Sequence, residues 1–118
     1  MAYLLLIVEP RGQRAERTPE QGQEAYAQMV RFSEGLKARG VLKAVESLRS
    51  DTEGTRVRVR NNKSTLLDGP FAESKEMIGG FFLIDCATKT QAIAIASECP
   101  AAAWATVEVR EVGPCFLG

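Results

Sequence analysis

The stretch that decides the fold is DGPFAESKE, residues 68–76, followed closely by the apolar run GGFFLI at residues 79–84. The pair Gly69-Pro70 predicts a turn, because glycine permits unusual backbone angles and proline fixes its own φ. Charged residues follow this pair and precede a segment that is almost entirely apolar. The stretch therefore predicts a shaped turn that delivers charged side chains to the start of a buried strand.

On both sides of this turn, the residue pattern predicts short β-strands. Each has strand length, and the segments differ in how strictly apolar and polar residues alternate. Asn61-Asn62-Lys63 has the composition of a hairpin turn. The predicted strands are residues 3–9, 42–49, 55–60, 64–68, 80–85 and 106–112.

Two helices are predicted between these strands, and each begins at a capping box. The first helix should end at Gly40, which suits the residue after a helix, and the second must end at Pro100. The two capping boxes are Thr18 with Gln21 and Thr88 with Gln91.

The predicted order is β-α-β, a hairpin, then β-α-β, which indicates a ferredoxin-like α+β sheet. Residues 4–8 and 81–84 are apolar on both faces, as the central strands of that sheet would be. Two helices cover only one face of such a sheet, so something else must cover the other. We therefore predict a homodimer in which a second copy covers the open face.

Chain length and net charge limit the number of domains and the kinds of partner. A chain of 118 residues predicts one domain, spanning residues 1–118. Fifteen basic residues balance fifteen acidic ones, so no overall field attracts nucleic acid or an anionic membrane. Arg56, Arg58 and Arg60 lack interleaved aromatic residues, which favours a solvated strand edge over a nucleic-acid site. The apolar residues 1–8 are also too short to cross a bilayer. We therefore expect neither nucleic acid nor a membrane as a partner.

The rare residues limit the chemistry further. Cys86, Cys99 and Cys115 form no CxxC pair and are odd in number, which predicts reduced thiols in the cytoplasm. The chain has no histidine, which excludes histidine-based triads, histidine metal ligands and imidazole pH switches. We expect no metal and no cofactor.

The central motif also resembles a known family. Residues 68–76, with Gly79-Gly80-Phe81 after them, resemble the signature of the DGPF branch of the YCII-related proteins. The opening YLLLI at residues 3–7, Pro100 and the VEVR at residues 107–110 are similar to the family pattern as well. The resemblance covers nearly the whole chain and implies a dimeric α+β barrel built from ferredoxin-like protomers.

The resemblance implies a largely unassigned activity, with a His-Asp pair in the cleft of those members regarded as enzymes. That pair cannot be carried over to a chain without histidine, and Asp68 is the candidate counterpart of its aspartate. Genes of the DGPF branch often lie beside genes of extracytoplasmic-function sigma factors in bacteria. The resemblance therefore implies a bacterial protein with such a sigma factor as a regulatory partner.

Charged side chains near the motif are the candidates for chemistry. Two carboxylates in a closed space can act as an acid and a base, and a nearby cation can hold an anionic substrate. Each residue also has a structural interpretation, such as a turn-stabilising aspartate, a solvated loop or an ion pair with the turn. The candidate catalytic residues are Asp68, Glu73 and Glu76, and the candidate ligand-binding residues are Lys75, Glu108 and Arg110.

Two functions remain open at this point. The first is a small-molecule-binding or regulatory protein that uses the cleft without catalysis. The second is a cofactor-independent enzyme of the isomerase or lyase type, in which carboxylates perform acid and base catalysis. We favour the first, because no side chain is a committed nucleophile or part of a metal cluster.

Overall fold

A computed structural model describes residues 1–71 and 73–118; Ala72, inside the central motif, lies outside the described residues. The strands are β1 (Ala2–Pro10), β2 (Leu42–Ser47), β3 (Thr55–Arg60), β4 (Lys63–Asp68), β5 (Glu76–Asp85) and β6 (Thr106–Glu111). The helices are α1 (Gln13–Glu16), α2 (Pro19–Ala38) and α3 (Lys89–Glu98), with 3-10 turns at Asp51–Glu53, Pro100–Ala103 and Cys115–Leu117.

Four of the strands form one antiparallel sheet in the order β2-β5-β1-β6. The predicted α+β class is confirmed, and this strand order is compatible with the ferredoxin-like fold. The two strands predicted to be central, β1 and β5, lie in the middle of the sheet and pair with each other from Ala2 opposite Asp85 to Pro10 opposite Glu76.

Both predicted capping boxes are present. The hydroxyl of Thr18 accepts a hydrogen bond from the Gln21 N–H at 3.2 Å, and Thr88 accepts one from Gln91 at the same distance. The side-chain oxygen of each glutamine accepts a hydrogen bond from the backbone N–H of its threonine. Each capping box therefore satisfies two N–H groups at the start of its helix. The structure also contains a helix that was not predicted, α1, which lies between β1 and α2.

One face of the sheet packs against the helices and forms the core. Tyr3, Leu5 and Ile7 alternate along β1 and are buried on this face. The ring of Phe32 on α2 packs edge-to-face on Phe82 of β5, with 5.2 Å between ring centroids. Burying each such large apolar side chain contributes roughly 1.5–3 kcal/mol, so this face holds the protomer together.

Among residues 1–71 and 73–118, no helix covers the opposite face of the sheet. Side chains on it are apolar at its centre and only half-buried. Leu4 pairs with Leu83 and Leu6 pairs with Phe81, so these four side chains share the face. We call the surface of Leu4, Leu6, Phe81 and Leu83 the open face.

The predicted hairpin is confirmed as a separate two-stranded sheet of β3 and β4. Asn61 and Asn62 both have positive φ, as a two-residue hairpin turn requires. The register places Val57 opposite Leu66 on one side, while the arginines of β3 lie on the other. Every residue of both strands is exposed, so the hairpin projects from the body of the protomer.

Strand β5 begins at Glu76, earlier than the predicted start at residue 80. Strand β5 starts early because it continues to pair with β1, where Met77 lies opposite Glu9. A register shift between Ile7 and Val8 makes Gly79 an extra residue of β5, as in a β-bulge. A Cβ on Gly80 would lie 2.8 Å from the carbonyl oxygen of Glu46. Close packing of β5 against β2 therefore accounts for the glycine at position 80.

No helix in residues 1–71 and 73–118 is both long and apolar enough to cross a membrane.

Candidate functional site

The central motif begins with a turn packed against the 3-10 segment at Asp51–Glu53. The backbone N–H of Gly69 donates to the carbonyl of Gly54 at 2.8 Å, and the Gly69-Pro70 peptide is cis. A Cβ on Gly69 would collide with the carbonyl group of Asp51. Glycine is therefore needed at this position for the close approach of two backbone segments.

A pair of charged residues far apart in the sequence anchors the rest of the motif. The guanidinium of Arg11 donates two hydrogen bonds to the carboxylate of Asp51. Its Nε donates to the carbonyl oxygen of Ser74 at 2.7 Å. The hydrogen bond from Arg11 lowers the pKa of Asp51, and a backbone hydrogen bond from Phe71 lowers it further. Arg11 thus ties the end of β1 to both sides of the loop.

Phe71 fills the space beneath this loop. Its side chain is buried, and the guanidinium of Arg56 lies over its ring, 3.8 Å from the centroid. Arg56 belongs to β3, so this cation–π contact attaches the root of the hairpin to the body. Phe71 therefore anchors the motif loop through its buried ring.

The candidate catalytic residues lie around this loop and are exposed. Asp68 ends β4, and its Oδ1 accepts a hydrogen bond from the Thr55 hydroxyl at 2.9 Å across the hairpin. Glu73 and Lys75 lie in the loop, and Glu76 opens β5. Glu76 also lines a hollow of about 330 Å³ together with Asp51, Arg56 and Phe71.

The candidate ligand-binding pair on β6 lies elsewhere. Arg110 donates to Glu108 through Nε at 2.6 Å, so these side chains pair with each other. Arg110 lies opposite Leu4 on β1, whereas Glu76 lies opposite Pro10. Six residues of strand separate the two positions, about 20 Å at the usual rise. The structure does not bring Arg110 to the motif loop.

A second, larger concave feature lies on the other side of the sheet. A cleft of about 620 Å³ lies between α2, from Gly22 to Glu34, and the strands β1, β2 and β5. Gly22 and Ala25 line it from α2, where larger side chains would fill the space, and Ile7 and Phe82 line it from the sheet. The exposed side chains of Tyr26, Val30 and Leu48 also line this cleft.

An ion pair with a buried carboxylate lies in the cleft. Glu9, only 7% exposed, continues the buried face of β1. Arg14 of α1 binds both of its carboxylate oxygens, through Nε at 2.9 Å and Nη2 at 2.7 Å. The Arg14 side chain remains 36% exposed, and its Nη1 donates to no atom of residues 1–71 or 73–118. The Nε and Nη2 groups of Arg14 are therefore paired with Glu9, while Nη1 is available to donate a hydrogen bond to a ligand.

A second guanidinium lies three residues further along the chain, just after the end of α1. Arg17 is placed over the ring of Trp104 at 5.5 Å from the centroid. The Gln13 side chain holds the segment by donating to the Trp104 carbonyl at 2.6 Å, and it also accepts a long bond from Arg17. In the described part of the chain, no carboxylate lies within ion-pair distance of Arg17.

Sequence reasoning missed these cleft residues. One available signal was the period of two along β1, which continues the buried positions Tyr3, Leu5 and Ile7 onto Glu9. A carboxylate on a buried strand face requires a cation, and Arg11 or Arg14 was the nearest candidate. Nothing in the sequence pattern could bring Trp104 to Arg17, because the fold creates that contact.

Among residues 1–71 and 73–118, no group of three or more acidic, cysteine or histidine side chains is arranged to hold a metal ion. The three cysteines are free thiols at separate positions. Burial raises the pKa of the Cys99 thiol, which disfavours the reactive thiolate form.

Comparison with known proteins assigns the chain to a family. A protein of Rhizobium meliloti (strain 1021) is 28% identical over 98 residues, which cover 83% of this chain and 79% of that protein. That relative is named only as an uncharacterized protein. A model of the YCII-related domain matches residues 1–115, nearly the full length. The chain therefore belongs to the YCII-related domain family.

Proposed function

We propose that this chain is a small-molecule-binding protein whose ligand lies in the cleft beneath α2. The observation that carries the proposal is a concave space of about 620 Å³ that contains the ion pair of the buried Glu9 with the partly exposed Arg14. Ligand sites usually enclose roughly 300–1,000 Å³, with mostly apolar walls and a few placed polar groups. Both features are present in this cleft, whereas the hollow beside Glu76 of the motif is about half as large, at about 330 Å³.

Native mass spectrometry of the purified protein tests this proposal. After incubation with a small-molecule extract of the expression host, the wild type should carry one retained small molecule per chain. Ala25→Phe, which places a ring in the cleft, should lose that added mass. Gln23→Phe adds the same ring at an exposed position of α2 outside the cleft and should keep it. A wild type that retains nothing contradicts the proposal.

We also propose that the protein is a homodimer, built as a dimeric α+β barrel through the open face. The apolar centre of that face supports this assembly, since exposed apolar patches commonly mark interfaces. The protomer is also flat, with extents of 47 × 43 × 19 Å. Its radius of gyration of 16.1 Å exceeds the value of about 13.5 Å for a compact domain of this length.

The hairpin supports the same assembly. Val57, 62% exposed, lies opposite Leu66, 67% exposed, on one side of β3 and β4. An isolated two-stranded hairpin is marginal in water, so it needs a surface to pack against. A second copy supplies such a surface without any further partner.

Size-exclusion chromatography with light scattering tests the dimer. The wild type at micromolar concentration should have twice the protomer mass. Leu83→Glu places a charge in the open face and should give a folded monomer. Ile93→Glu, at an exposed position of α3, should remain dimeric. A wild-type monomer would overturn the proposed assembly.

A regulatory role is a more specific version of the proposed small-molecule-binding function. It rests on the resemblance to the DGPF branch, which favours a bacterial cytoplasmic protein acting with an extracytoplasmic-function sigma factor. Co-expression with the sigma factor encoded nearest its gene should give a complex on size-exclusion chromatography. Separate elution of the two proteins would remove this partner and leave the small-molecule proposal intact.

The alternative is a cofactor-independent isomerase or lyase. The observation that favours it is the hollow of about 330 Å³, in which Glu76 lies beside Arg56 and Asp51. Val8 and Ile78 of the sheet also line this hollow. They pair on the same side as the open face, so a dimer built there would enclose the carboxylate. Turnover of a retained metabolite that disappears in Glu76→Gln or Asp68→Asn would establish this alternative.

A further inference from the structure

We infer that the cleft selects a small organic anion, whose acidic group binds Arg14 and Arg17 and whose apolar body lies along α2. The inference rests on the proposed small-molecule function and adds the chemical class of the ligand. It depends on the charges at one end of the cleft and on the apolar side chains further along it.

The cationic end contains two guanidinium groups with different partners. Glu9 occupies Nε and Nη2 of Arg14, which fixes that side chain and leaves its Nη1 available. Arg17 is half-buried over Trp104 and has no carboxylate partner among the described residues. A guanidinium fork matches an anionic oxygen pair in geometry and charge. The two groups therefore form a cationic end suited to a carboxylate.

The acidic residues of the cleft do not cancel this end. Glu34 lies on α2, twelve residues beyond Gly22, which is about 18 Å along the helix axis. Glu46 lies opposite Phe81, so its side chain is on the side of the open face. Glu9 is already paired with Arg14. Arg17 is thus a cleft guanidinium with no carboxylate within ion-pair distance among the described residues.

Apolar groups line the cleft beyond this end. Ala25, Met29 and Val30 line it from α2, and Phe82 lines it from the sheet. A purely inorganic anion would leave these surfaces in contact with water, whereas an aryl or alkyl carboxylate would cover them. The ligand is therefore an anion with an apolar body, for which phenylacetate is a suitable probe.

The position of Trp104 supplies the test. It is the only tryptophan in the chain, so fluorescence reports directly on the environment beside Arg17. Titration with phenylacetate should give a saturable change in emission. Phenylacetamide, which has the same shape without the charge, and inorganic phosphate, which lacks the apolar body, should each bind about tenfold more weakly or worse.

Calorimetry of variants assigns the effect to the cleft. Arg17→Gln should weaken phenylacetate binding about tenfold, while Arg31→Gln, an exposed arginine of α2 outside the cleft, should bind like the wild type. Thermal melts of both variants establish that they fold. Equal affinity for phenylacetate and phenylacetamide, or for wild type and Arg17→Gln, overturns the anion inference. In that outcome a molecule retained in native mass spectrometry would still support the proposed function.

If no probe alters Trp104 emission or produces heat, the assigned ligand class is wrong. If native mass spectrometry also finds nothing retained by the wild type, the proposed function fails with it.

Discussion

The carboxylate of Glu9 occupies the space that a side chain at position 79 would need. A Cβ built on Gly79 would collide with Oε1 of Glu9 and would lie 2.8 Å from its Cδ and 2.9 Å from Nη2 of Arg14. The absence of a side chain on β5 therefore makes room for an ion pair on β1 and α1. The register shift at Ile7 and Val8 places Gly79 at this position.

Gly79→Ala should destabilise the protein. The new methyl group must displace a carboxylate that is buried and held by two hydrogen bonds from Arg14, so the carboxylate has little freedom to move aside. We expect a loss of about 1–3 kcal/mol in the free energy of unfolding, as for other overpacked sites. Urea denaturation measures this loss.

Gly35→Ala is the matched control for this substitution. Gly35 lies inside α2, and its added Cβ meets no neighbouring atom within 4 Å. Alanine there should stabilise the protein by about 0.5–1 kcal/mol, because it favours the helix more than glycine does. If both variants were equally stable, Gly79 would not be needed for the ion pair.

Asp51 should contribute to the loss of stability in acid. The hydrogen bond from Arg11 lowers its pKa in the folded protein below the unfolded value. Its contribution is therefore fully present above the unfolded pKa of about 3.9, and it is lost as the pH falls through the lower, folded value. Between pH 7 and acid below pH 4, the urea midpoint of the wild type should fall by more than that of Asp51→Asn.

The comparison needs a control in the same segment. Glu53→Gln removes an exposed partner of Arg49 next to Asp51, and at neutral pH it should change stability by less than about 1 kcal/mol. Asp51→Asn should be clearly less stable than the wild type at that pH. Parallel acid profiles for the wild type and Asp51→Asn would show that the pairing with Arg11 does not stabilise the fold.

Phe71→Ala should destabilise the protein by about 3 kcal/mol, in the range for buried phenylalanines. Its ring is buried beneath the motif loop and supports Arg56 of the hairpin. Phe116→Ala removes an equal ring that is 82% exposed and should change stability by less than about 0.5 kcal/mol. Similar midpoints for the two variants in urea would remove Phe71 as the anchor of the loop.

Local sequence signals predicted most of the fold. The capping boxes at Thr18 and Thr88 marked where α2 and α3 begin, and the Asn61-Asn62 pair marked the hairpin turn. Each of these signals depends on residues within a few positions of each other, so their physics is complete in the sequence. The apolar character of β1 and β5 likewise predicted that they are central.

The candidate sites depend on contacts that the sequence does not specify. Asp68, Glu73, Lys75 and Glu76 are neighbours in sequence, yet Asp68 ends a hairpin strand while Glu76 begins a central one. Arg11 and Asp51 are 40 residues apart in the sequence and meet only in the folded chain. Arg17 and Trp104 are brought together only in the folded chain. The local sequence pattern therefore could not predict which charged side chains come together.

The measurement that tests the central claim most directly is a ¹⁵N chemical-shift titration with phenylacetate. If the cleft holds the ligand, the largest saturable shifts should occur at the indole N–H of Trp104 and the backbone N–H groups of Gly22 and Gly79. The N–H groups of Gly69 and Glu73 in the motif loop should shift little. Shifts centred on the motif loop or on the open face, or no saturable shift at any residue, would contradict a ligand site beneath α2.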